Sequence, residues 1–142
     1  MARILGVDLG SRRIGLALSD PTGVVATPHR LLERSGDSAA DHRAITAIAR
    51  EAGADRIVVG LPLSLSGDVG PAARAVLDEV EALRAEAGEG MRVVTHDERL
   101  TTVIADQGLR AAGGRRHRRR AVVDEAAAAV LLQSYLDRGE RS

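Results

Sequence analysis

The sequence predicts an α/β domain in which a five-stranded mixed sheet carries helices on both faces. Three observations lead there. Three strand-like runs joined by short Gly- and Pro-containing turns open the chain. Two apolar runs of buried-strand type come later, and amphipathic helical stretches separate and follow them. Strands joined by tight turns pair antiparallel, whereas strands joined through a helix pair parallel. The order β-β-β-α-β-α-β-α-α therefore makes the first, fourth and fifth strands parallel.

Each element has its own signal. Arg3 to Leu9 is an apolar run broken by Gly10-Ser11, and Ile14 to Ser19 alternates until Asp20-Pro21 turns the chain. Val24 to Leu32 gives a third strand, with Thr27-Pro28 placing it near an edge or bend. Ser38 is positioned to cap a helix whose apolar face is Ala44, Ile45, Ile48, Ala49 and Ala52, ending at Gly53. Arg56 to Leu61 is a continuous apolar run closed by Pro62. Pro71 opens a second helix with Ala73, Val76, Leu77, Val80 and Leu83 inward and Gly88 as its stop. Met91 to His96 is the fifth strand. A short helix from about Thr102 to Ala112, Gly113-Gly114, an arginine-rich loop and a last helix from about Ala121 to Asp137 complete the chain.

Composition narrows the function classes. A chain of 142 residues with 44% apolar content fits one domain over 1–142, with an ordered core of about 3–137. It is too short for two full lobes closing on a ligand. The absence of cysteine excludes disulfides and thiolate metal sites. No stretch reads as a signal peptide or approaches the roughly 20 apolar residues of a membrane span, so a soluble, cytoplasmic protein without membrane partners is expected. Net charge is zero, with 20 basic and 20 acidic residues, every basic one an arginine. Arginine concentrates between Arg110 and Arg120, where no acid occurs. Tyr135 is the single Phe, Tyr or Trp residue, so there is no stacking platform for single-stranded bases.

Ligands of open α/β sheets bind beyond the carboxyl ends of the parallel strands. The first strand ends at Asp8 and the fifth at Asp97-Glu98. Asp8 is flanked by Val7 and Leu9 in a strand expected to be buried, where an ionised carboxylate is costly unless paired or metal-bound. It either caps the turn with Gly10 and Ser11 or serves a site. Asp124 shares a helical face with Ala127, Ala128, Leu131 and Tyr135 at spacings of three, four, seven and eleven. An acid near a helix N-terminus is equally at home compensating the dipole. Glu98 belongs either to a solvated turn or to the same sheet end as Asp8. Three carboxylates converging there would suit Mg²⁺ or Mn²⁺, hard cations that prefer oxygen. Such ions stabilise the attacking water and leaving oxygen of a phosphodiester displacement.

The motifs also resemble a known family. Gly6-Val7-Asp8-Leu9-Gly10 followed by Ile14-Gly15-Leu16-Ala17 resembles the first hairpin of the RNase H-like superfamily. Val58-Val59-Gly60-Leu61-Pro62-Leu63 with Ser66-Gly67 resembles a loop of the YqgF family, also called RuvX, of pre-16S rRNA nucleases. His96 to Thr102 is similar to its second acidic motif, and Val123-Asp124 through Leu136 to its third. The resemblance implies an RNase H-like fold with sheet order 3-2-1-4-5. It implies Asp8, Glu98 and Asp124 as catalytic and metal-binding acids, often a homodimer, and a role in maturing the 5′ end of small-subunit ribosomal RNA, in contact with the ribosomal particle. Relatives of the RuvC branch cut four-way DNA junctions and place a glutamate at the end of the fourth strand. This chain has Gly60-Leu61-Pro62 there, so Glu98 would take over that metal position.

Other residues are candidates for substrate binding. Arg115, Arg116, Arg118, Arg119 and Arg120 either clamp phosphates beside the metal or form a solvated loop. Ser66, Gly67, Asp68 and Gly70 either present backbone N–H groups to phosphate ahead of the second helix or form an ordinary capped loop. Arg12 and Arg13 follow Asp8 and reach substrate or are merely exposed. His96 acts near the attacking water or is a hydrogen-bonded structural residue.

Two alternatives belong to other classes. Asp8-Leu9-Gly10-Ser11 and Gly15 also resemble the phosphate loop of sugar kinases and actin, which would make this an ATP-dependent phosphotransferase. Length opposes that. A non-catalytic nucleic-acid adaptor is opposed by the intact acids.

Overall fold

The computed structural model describes the backbone of residues 2–100 and 116–138, and the side chains of 2–99 and 126–138. The strands are β1 (Arg3–Leu9), β2 (Arg13–Ser19), β3 (Ala26–Glu33), β4 (Ala54–Leu61) and β5 (Arg92–Asp97). The helices are α1 (Ser38–Glu51), α2 (Pro71–Ala87) and α3 (Arg116–Asp137), and a 3₁₀ turn spans Glu98–Leu100. The five strands form one sheet in the order β3-β2-β1-β4-β5. β2 pairs antiparallel with both β1 and β3, whereas β4 pairs parallel with β1 and β5. This is the mixed sheet that the tight turns and helical crossovers predict. No helix among the described residues is long and apolar enough to cross a membrane.

Side-chain size divides the two faces. Leu5, Val7, Ile14, Leu16, Ile57 and Val59 point to one face and pack with Ile45, Ile48, Val76, Val80 and Leu83 of α1 and α2. The intervening positions at the centre of the sheet, Gly6 and Ala17 among them, are smaller. Ala17 and Val58 meet Ala128, Leu132, Tyr135 and Leu136 of α3. At Gly6 the helix comes so close that an added Cβ would lie 2.8 Å from Leu132 Cβ. Large residues on alternate positions thus carry two helices, and small ones let a single helix approach.

Several sequence expectations shift. The α1 cap is Asp37 rather than Ser38; its carboxylate accepts from the Ala39 and Ala40 amides. Aspartate and serine cap comparably, so the sequence does not choose between neighbours. β3 begins at Ala26 and β5 at Arg92. The larger correction concerns Arg116, Arg118, Arg119 and Arg120, which lie on the first turns of α3 rather than in a loop. Arginine is itself a good helix former, and the stretch from 116 contains no Gly or Pro to stop it. Arg115 and the expected helix from about Thr102 to Ala112 fall outside the described residues.

Candidate active site at the carboxyl end of the sheet

β1 alternates strictly, so Asp8 shares the α3 face with Gly6 while Leu5 and Val7 enter the opposite core. Its cross-strand partner on β2 is Gly15. On β4, the position one beyond the Val7–Val59 pair is Gly60. Asp8 is therefore bordered on both sides by residues without side chains, which leaves its half-buried carboxylate an open recess.

Glu98 reaches this recess from β5. His96 pairs with Gly60, Asp97 with Leu61, and the 3₁₀ turn begins at Glu98. A Cβ added at Gly60 would lie 3.1 Å from Glu98 Oε2 and 3.1 Å from Leu131 Cδ2. The glutamate thus lies over the end of β4 and forms a side-chain hydrogen bond with Asp8. Burial raises the Glu98 pKa above the ordinary glutamate value; the bond from Asp8 opposes that shift, and the charge of Asp97 adds to it. Two carboxyl groups in hydrogen-bonding contact must share a proton or a cation.

The adjacent acid is handled differently. Asp97 accepts from Arg99 Nε at 3.0 and 2.9 Å and from Arg99 Nη2 at 2.6 Å. The arginine lowers the Asp97 pKa through these bonds. Asp97 is thereby held ionised in an ion pair with Arg99, while Glu98 faces Asp8. Arg99 also donates to the Leu65 carbonyl at 3.3 Å and lies against Gly67, whose φ of 90° suits glycine. It ties the loop before α2 to the end of β5, a role that sequence reading missed.

Within that loop Ser66 Oγ donates to Asp68 at 2.8 Å, and the Gly67 and Asp68 amides donate to Ser64 O and Ser64 Oγ. Those two amides are committed inside the loop, so the cradle expected from Ser66 and Gly67 must use other donors. Arg12 is exposed in the β1–β2 turn. His96 is buried, 3.0 Å from Ser134 Oγ and edge-on to Tyr135 at 5.7 Å, as a structural histidine would be. Gln133 accepts from the Ala26 amide and donates to the Val24 carbonyl, both at 2.9 Å, while Tyr135 Oη accepts from Arg56 at 2.8 Å. These bonds fix the rotation of α3 on the sheet. Position 124 lies on α3 four and seven residues before the buried Ala128 and Leu131; its side chain is outside the described set.

The donor chemistry suits a divalent cation: two oxygen-only groups meet beside two glycines, and one of them is held away from water. Gly60 is the site residue hardest to find by pattern. A glycine inside an apolar strand signals close approach, and here the visitor is Glu98.

Sheet order, helical layers and paired acids at the strand ends define an RNase H-like protein. Solved structures share the architecture. RuvC from T. thermophilus in complex with a Holliday junction substrate aligns with a TM-score of 0.56 at 16% identity, covering 98% of this chain and 97% of that one. The fowlpox virus Holliday junction resolvase aligns at 0.56 and 11% identity, covering 96% and 98%. Residues 2–138 match the family described as "RuvX: Holliday junction resolvase", and the chain belongs to that family. A protein of Kineococcus radiotolerans named "Putative pre-16S rRNA nuclease" is 52% identical over 94% of this chain and 70% of its own length. One of the same name from Desulforudis audaxviator is 45% identical over 95% and 94%.

Proposed function

We propose that this protein is a divalent-metal-dependent nuclease that hydrolyses phosphodiester bonds in 5′-end maturation of pre-16S rRNA. The observation that carries the reading is the hydrogen-bonded pair of Asp8 and Glu98 at the carboxyl end of the sheet. The names of its relatives supply the substrate. Asp8, Glu98 and Asp124 would hold Mg²⁺ or Mn²⁺, which when bound supplies Lewis acidity toward the phosphate and the water. Binding the cation would require both carboxyl groups of the pair to be ionised. Arg99 pairs with the Asp97 charge, and the bare backbone at Gly60 lets the Glu98 carboxylate reach Asp8. The arginines from Arg115 to Arg120, with Arg12 and the Ser66-Gly67 loop, contact the nucleic-acid backbone without reading sequence.

A second reading, cleavage of four-way DNA junctions, is favoured by the family description. One experiment separates the two. A 5′-extended small-subunit rRNA precursor and a four-way junction are each incubated with Mg²⁺, with Mn²⁺ and with chelator. Faster metal-dependent cutting of the rRNA is expected; faster cutting of the junction would replace the substrate assignment. Asp8→Asn and Glu98→Gln should each lower cleavage by about a thousandfold or more while binding persists. Unchanged cleavage by either variant would sink the metal-site reading.

A further inference from the structure

A polar cluster on the helical face opposite α3 reaches the catalytic turn. Arg34, just past β3, forms a fork with Glu79 of α2: Nη1 to Oε1 and Nη2 to Oε2, both 2.8 Å. His42 of α1 holds the same Glu79 Oε1 at 2.8 Å. With its outer nitrogens so occupied, Arg34 turns Nε to the Gly10 carbonyl at 3.0 Å, while its own amide donates to Arg12 O at 2.8 Å. On its other side the Gly10 amide donates to the Asp8 carbonyl at 3.1 Å. Gly10 is thus held from both sides, and a Cβ there would strike Arg13 O at 2.5 Å.

We infer that Arg34, oriented by Glu79 and His42, is a positioning residue for Asp8. It acts through the Gly10 peptide and sets how the Asp8 carboxylate meets Glu98. The inference rests on the nuclease reading for its consequence in catalysis, but not for its geometry. The three side chains come from separate elements: the β3–α1 connection, α1 and α2. The ion pair is four-fifths covered, with side-chain exposures of 18% for Arg34 and 21% for Glu79. Pairs so covered contribute little net stability compared with apolar residues of similar size. What an apolar pair cannot do is direct a donor at a carbonyl. Arg34 is also unsuited to replacement by lysine, whose single ammonium cannot serve a carboxylate fork and a carbonyl at once.

That contrast provides the test. Arg34→Met/Glu79→Leu removes the clamp and keeps bulk at both positions. Hydrogen exchange, thermal unfolding and steady-state cleavage are measured for the full chain and for this variant. The expected result is faster exchange confined to the 8–12 turn, a melting temperature within a few degrees, at least a tenfold fall in kcat and an unchanged KM. Arg34→Lys should not restore kcat. Unchanged exchange in the turn overturns the inference, and so does loosened exchange with kcat within twofold. If the double variant does not fold, Glu79→Gln is judged by the same criteria. Should the unaltered protein cleave no nucleic acid, the nuclease reading fails, while exchange at the turn still decides whether the clamp exists.

Discussion

A Cβ at position 60 would lie 3.1 Å from both Glu98 Oε2 and Leu131 Cδ2, so Gly60→Ala must displace one of them. Leu131 is fully packed, whereas Glu98 sits at the rim, and the carboxylate is the group that yields. The variant should lose only the roughly 1–3 kcal/mol typical of overpacking, yet cleavage should fall on the order of a hundredfold through misplacement. Calorimetry beside an activity assay checks this; full cleavage by a folded Gly60→Ala protein would contradict the contact's role. Glu98 also makes stability depend on pH. Its folded-state pKa is raised by burial, so the folded protein binds the proton more tightly than the unfolded chain. The resulting stability is complete below the ordinary glutamate value and is lost as pH rises through the raised one. Melting in chelator should therefore decline across that window, and Glu98→Gln should flatten the decline. Added Mn²⁺ should reverse it, because the cation displaces the proton more easily as pH rises. Asp8 was legible in the sequence because a charge interrupts an apolar strand. Glu98 was not distinguishable from Asp97 by local pattern, since their difference arises from Arg99 and from the reach across β4.

Among the elements, α3 departs most from expectation. Its boundary was hidden because the arginine run reads as a mutually repelling surface stretch, although arginine propagates a helix well. Placing Arg116, Arg118, Arg119 and Arg120 on a helix gives their contribution a defined test. Replacing all four with glutamine retains helix propensity and removes only charge. The salt dependence of nucleic-acid affinity should then become shallower, by about 0.7–0.9 in log–log slope for each arginine that meets a phosphate. An unaltered slope would assign them to solvent. The docking of α3 was equally illegible. Gln133, Ser134 and Tyr135 are unremarkable as a string, yet each bonds to a different part of the sheet. Strand positions, by contrast, were readable to within a residue or two, because turn residues and apolar runs are local signals.

At the scale of the whole molecule, connection lengths foretold which strands run antiparallel and which parallel, whereas the lateral order β3-β2-β1-β4-β5 was legible only through the family resemblance. Convergence of the acids could not be read from connection lengths, because it depends on how far two side chains project across the intervening β4. The small-residue face has a consequence in time. During synthesis the chain emerges in order, and α3 follows every strand of the sheet. Gly6, Ala17 and Val58 stay uncovered until it docks, long after α1 and α2 can close the other face. A nascent chain halted before α3 would present that bare apolar surface to chaperones or to other chains. The acid on α3 would be missing as well. If Asp124 is the third metal ligand, as proposed above, the growing protein would not cleave nucleic acid, the ribosome that makes it included, until its last helix is in place.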